Sequence, residues 1–76
     1  MPLYYFNFRC DKFEATDVAG EYCRTETDAR FEAMRAARRI VRQRLLEQEF
    51  THMGWIEVED EAHRPVMQVP LSAVAF

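Results

Sequence analysis

Residues 3–8, LYYFNF, alternate in character: Tyr4, Phe6 and Phe8 fall on one side, Leu3, Tyr5 and Asn7 on the other. A period of two belongs to a β-strand, and the Phe-bearing side is expected to face the core. Asp11-Lys12 is a turn signal, and KFEATD then alternates weakly as a second strand. DVAG, residues 17–20, reads as a turn with Gly20 available for positive φ. EYCR adds a short extended piece.

The period then changes. Thr25 stands three residues before Asp28, an acidic variant of the capping box, with Thr25 as N-cap. Glu26, Asp28 and Glu32 lie in the first turns, where the helix dipole favours negative charge. From there to about Glu49 no Gly or Pro interrupts, and Ala, Arg, Glu and Leu are strong helix formers. At about 100° per residue, Ala33, Met34, Ala37, Ile40 and Val41 make one apolar stripe, with Leu45 at its edge.

Gly54 restarts the chain after the helix. WIEVED alternates, with Ile56 and Val58 on one side and Trp55, Glu57 and Glu59 on the other. PVMQVPL does the same with Met67, Val69 and Leu71, and the two runs predict a β-hairpin. Pro70 donates no hydrogen bond, which places it on an edge or at a strand end. The apolar tail SAVAF is expected to pack through Phe76. Strand, strand, helix, strand, strand over residues 1–76 is the pattern of one α+β domain. It has two layers: an antiparallel sheet and one long amphipathic helix on one face. The other face is left to water or to a partner.

Composition limits the functional classes. A chain of 76 residues has room for one domain, and six Phe, three Tyr and one Trp supply the burial that so small a core needs. The net charge of −3 disfavours nucleic acid as a partner of the whole molecule, although a local patch could still bind it. No apolar run reaches the roughly 18 residues of a membrane span. MPLYYFNFRC lacks the layout of a signal peptide. The expectation is a cytoplasmic protein with no membrane contact. Cys10 and Cys23 have no further Cys or His at ligand spacing and read as reduced thiols.

Three stretches together resemble a known family. They are the start MPLYYFNF, DVAGEYC ahead of a long Ala/Arg-rich helix, and GWIEVEDEAHRPVMQVPL. Over nearly the whole chain they look like domain-of-unknown-function family 6894, small uncharacterised bacterial proteins. The resemblance implies a bacterial, cytoplasmic setting and this fold, and it assigns no catalytic residue. The chain departs from the family pattern at the last hairpin turn, where Ala62-His63 stands in place of an expected Gly. A looser similarity of layout links it to HicB-type antitoxins, at the level of analogy only.

The candidate chemistry lies on two surfaces. RAARRIVRQR, residues 35–44, places Arg38, Arg39 and Arg42 within about 60° of the direction of Arg35, opposite the apolar stripe. Glu32 is positioned to pair with Arg35, and Glu26 with Arg30, while nothing local neutralises Arg38, Arg39 and Arg42. Phe31 and Leu46 share that outer side, a mixture found at interfaces. The second surface is the uncovered sheet face with Tyr5 and Trp55, an aromatic patch if the two are adjacent. Glu57, Glu59, Asp60 and Glu61 offer acidic complements to the arginines.

The chain carries no GxSxG, phosphate loop, HExxH or paired-Cys pattern. No catalytic residue, cofactor or metal site is expected, and His52 and His63 read as loop residues. Cys23, just ahead of the helix, would be activated only if helix amides pointed at it. The expectation is a non-enzymatic protein-interaction or self-associating module, a homodimer in which Tyr5 and Trp55 outweigh the arginines. The alternative is a regulatory nucleic-acid binder that uses the arginine face.

Overall fold

The computed structural model describes residues 1–11, 14–43 and 54–74. Strand β1 (Leu3–Arg9) is central. On one edge it pairs antiparallel with β4 (Trp55–Glu59), and β4 pairs in turn with β5 (Pro65–Pro70). Two short strands, β2 (Glu14–Ala15) and β3 (Glu21–Tyr22), also run antiparallel to β1. Helix α1 (Glu26–Gln43) follows β3, and a 3₁₀ turn (Leu71–Val74) follows β5. The domain is therefore α+β, one helix against an antiparallel sheet of five strands. EYCR contributes a strand of its own.

The core lies where the sequence pattern puts it. Tyr4 and Phe8 from β1, Ile56 and Val58 from β4, and Val69 from β5 are buried. So are Ala29, Ala33, Ala37 and Val41 of α1, one residue every four. Three of these four are alanines, so the helix backbone comes close to the sheet. Met34 and Ile40 flank the stripe, half-buried against the same core. Leu71 and Val74 of the 3₁₀ turn close one end, and the Leu71 amide donates to the Gly54 carbonyl at 3.0 Å. Leu71 thus packs from the turn and not from β5. The helix end near Glu49, Leu45, His52 and Phe76 lie outside the described residues.

The helix starts as the cap predicts. Thr25 Oγ1 accepts the Asp28 amide at 3.1 Å, and the first turn carries Glu26 and Asp28. At the other end of the sheet, β5 is an edge strand. It is shifted in register by a bulge at Val58/Glu59 and bounded by Pro65 and Pro70.

The edge of β1 away from β4 is less regular. Phe8 and Arg9 pair with β2, and Leu3 and Tyr4 pair with β3. Between these pairings, residues 16–20 stand opposite only residues 5–7. The excess is taken up by a side chain: Asp17 Oδ2 accepts the Phe6 amide at 3.1 Å, and Asp17 Oδ1 accepts the Gly20 amide at 3.0 Å. The Asp17 amide donates to Asn7 Oδ1 at 2.8 Å. Gly20 closes the excursion at φ +74°, and a Cβ there would lie 3.0 Å from both Leu3 Cδ1 and the Tyr4 carbonyl. The turn expected at DVAG is therefore a clasp across the sheet edge.

Candidate functional site

The sheet face away from α1 is not an aromatic patch. In the ladder Tyr5 stands opposite Glu59, Asn7 opposite Glu57, and Arg9 opposite Trp55. Tyr5 and Trp55 are thus at opposite ends, with the Asn7–Glu57 step between them, and the structure does not bring them together. Arg9 occupies the space instead. Its Nε donates to Glu57 Oε1 at 2.5 Å, its Nη1 pairs with Glu14, and its Nη2 lies 3.6 Å from Glu59 Oε2. These carboxylates, led by the hydrogen bond Arg9 donates to Glu57, hold the Arg9 guanidinium firmly protonated.

The rest of that face is also engaged. Glu57 and Glu59 side chains keep only 18% and 16% of their exposure, so their charge is spent within the sheet. Asn7 is 1% exposed beneath this network. Tyr5 stacks on His63, with ring centroids 4.4 Å apart at 21°. Among the described residues, the buried Asn7 Nδ2 and Trp55 Nε1 have no hydrogen-bond partner. Trp55 itself is half-buried.

The last hairpin turn resolves the missing glycine. His63 takes positive φ, 63°, the conformation a Gly would adopt most easily. Asp60 organises the loop, its Oδ1 accepting the Ala62 and Arg64 amides at 2.9 Å and its Oδ2 lying 3.2 Å from Arg64 Nε. These bonds, chiefly the one from the Arg64 backbone, hold its carboxyl below the usual range. Glu59 faces His63 Nδ1 at 3.2 Å. Asp60 and Glu59 are therefore engaged locally too. Of the four acids expected to complement the arginines, only Glu61 has no ion pair among the described residues.

The outer face of α1 differs. Arg35, Arg38, Arg39 and Arg42 are exposed and line a shallow recess of about 320 Å³. Arg35 Nη1 donates to Glu32 Oε1 at 3.0 Å. Among the described residues, Arg38, Arg39 and Arg42 have no carboxylate partner, and no Glu26–Arg30 pair forms. One turn earlier, Phe31 is 60% exposed on the same side, and nearby Tyr22 is 64% exposed. With Met1, Glu21, Cys23, Arg24, Asp28 and Glu32 they line a second hollow of about 290 Å³. Leu46 lies outside the described residues.

Around that hollow the charge is acidic. Burial first, and then the Glu32 carboxylate, push the Glu21 carboxyl up. Cys23 is buried, its Sγ 4.0 Å from the Glu21 carbonyl. Burial, reinforced by Glu21, Glu32 and Asp28, raises its thiol above the ordinary value. A thiol in this setting is held protonated, the opposite of helix activation. Among the described residues no His, Cys, Asp or Glu group is arranged to hold a metal ion, and neither Cys10 nor Cys23 is in a disulfide.

Residues 3–72 match the family model described as Domain of unknown function (DUF6894). The chain belongs to this family. The match takes in every strand, α1 and the clasp, so this sheet-and-helix arrangement is that of a DUF6894 domain. Neither the curated proteins nor the solved structures provide a match. No described helix is long and apolar enough to cross a membrane.

Proposed function

We propose that this DUF6894 domain is a non-enzymatic protein-interaction module that works through the outer face of α1. One observation carries the reading: a row of exposed arginines without carboxylate partners among the described residues, Arg38, Arg39 and Arg42, shares the outer side of α1 with exposed Phe31, near exposed Tyr22. Aromatic residues and arginines are enriched at interfaces, and acidic groups there would give the guanidinium groups forked partners. The sheet face, by contrast, neutralises itself through Arg9, Glu14, Glu57 and Glu59.

A second reading rests on the recess lined by four arginines, which suits a nucleic-acid backbone as well as a protein. Titration of the labelled domain against itself, an acidic poly-glutamate peptide and a DNA duplex separates the two. Binding to a protein or peptide probe that Phe31→Ala with Arg38→Glu weakens at least tenfold, and that Trp55→Ala leaves intact, supports the interaction module. Binding to the duplex alone, with a log–log salt slope of about −3 for three or four phosphates, overturns it in favour of nucleic acid. Loss of binding in Trp55→Ala alone overturns it in favour of the sheet face.

A further inference from the structure

The outer face of α1 carries a pattern that is symmetric in position about Arg35, with the acids on one side of it and unpaired arginines on the other. Counting from Arg35, the residues three, four and seven positions earlier are Glu32, Phe31 and Asp28. Those three, four and seven positions later are Arg38, Arg39 and Arg42. By helical geometry all six lie within about 60° of the direction of Arg35, so they form one stripe about 21 Å long. Every acid lies before the centre and every unpaired arginine after it. The one aromatic of the stripe, Phe31, is exposed beside Asp28 and Glu32 at the border of the acidic hollow.

We propose that α1 binds the α1 of a second copy of this chain, antiparallel, about a two-fold axis that passes near Arg35. The inference rests on the interaction-module reading and names its partner. In such a pair each residue meets the one at the mirrored height, on the same side of the seam. Arg42 then faces Asp28 of the second copy. Arg39 lies within about 1.5 Å of the height of the other copy's Glu32, and Arg38 of its Phe31 ring. Each contact occurs twice because the interface is isologous. Arg35 meets its own counterpart at the axis, where each is already bonded to Glu32 at 3.0 Å. Arg38 over Phe31 is a cation–π contact, and the other two pairs are charge-assisted.

The parallel arrangement is rejected by the same charges, since it sets arginine against arginine along half the stripe. The acidic hollow supports the antiparallel one. The Glu32 carboxylate disfavours the ionisation of Glu21, and an arriving guanidinium relieves that repulsion. Arg24 and the terminal residue Met1 also line the hollow, and the charge of Arg24 opposes an incoming arginine.

A charge-swap experiment on the full chain tests this. One variant carries Arg39→Glu with Arg42→Glu, the other Asp28→Lys with Glu32→Lys. Circular dichroism establishes that each is folded. In sedimentation equilibrium the wild type is expected to dimerise, and 0.5 M salt to weaken it. Each variant alone is expected to dimerise at least tenfold more weakly. An equimolar mixture is expected to recover the dimer, because all four cross-pairs are again opposite in sign. Arg35→Cys is expected to cross-link to its own copy on oxidation, being near the axis. A dimer that survives in both variants overturns the pairing and places the interface elsewhere. Two weakened variants that fail to rescue each other also overturn it. A strictly monomeric wild type at about 0.5 mM that still binds the acidic peptide overturns the self-pairing alone, leaving the interaction module standing. A monomer that binds neither overturns both.

Discussion

Asp17 uses three groups at once. Its two carboxylate oxygens accept the Phe6 and Gly20 amides, and its own amide donates to Asn7. A buried donor left without its acceptor costs about 1–3 kcal/mol, and these part-buried amides fall at the lower end of that range. Asp17→Ala is therefore expected to lower the unfolding free energy by about that amount in urea denaturation, with Asn7→Ala coupled to it in a double-mutant cycle. Asp60 is the second residue that builds a turn with its side chain, and its effect depends on pH. Its folded-state pKa lies below the unfolded value of about 3.9, so the turn's full contribution is present above that pH. The contribution is lost as pH falls through the lower, folded value. The gap in melting temperature between wild type and Asp60→Asn is expected to hold steady down to about pH 5 and to close as acidification goes on below about pH 4. A gap that is unchanged at about pH 2 would show that the carboxylate's charge does not matter to the turn.

At the scale of elements, the helix and the hairpin were legible because their signals are local. The Ala33/Ala37/Val41 stripe, the Thr25 cap and the Ile56/Val58 alternation each lie within a few residues of chain. Asp17 with Asn7, and Arg9 with Glu57, were not legible, because those partners lie 10 and 48 positions apart and meet only through strand pairing. The register of β1 against β4 decided the fate of the aromatic patch. It put Trp55 opposite Arg9 and Tyr5 opposite Glu59, which periodicity alone does not fix. The outward direction of the four arginines was legible, since a 3.6-residue period determines it once the buried face is known. Gly54 looked like punctuation and has a packing role besides. A Cβ there would lie 2.7 Å from Phe8 Cε1 and 3.2 Å from the Arg9 carbonyl, where β4 starts against β1. Gly54→Ala is expected to cost about 1–3 kcal/mol in chemical denaturation, by overpacking. Gly54→Ala combined with Phe8→Leu is expected to lose less than the sum of the two changes.

For the molecule as a whole, charge is divided between two regimes. The sheet carboxylates are consumed within the domain, whereas on the outside of α1 Arg38, Arg39 and Arg42 have no carboxylate partner among the described residues. Tyr5 is already stacked and Trp55 half-buried, so less of the sheet face is free for a partner than its aromatic content alone suggests. The clasp at Asp17 bears on this in another way. A sheet with a long free edge invites a neighbouring chain to add a strand, the route by which small β-rich domains aggregate. Here one border is broken into two strands of two residues, and the Phe6 amide exposed by the break is taken by a carboxylate. The other border is β5, bulged and closed by a proline at each end. Neither border offers a template, so growth of the sheet from molecule to molecule is blocked on both sides. What remains for a neighbour is contact between side chains, and an isologous contact of the kind proposed for α1 would close at two copies instead of propagating into a fibre.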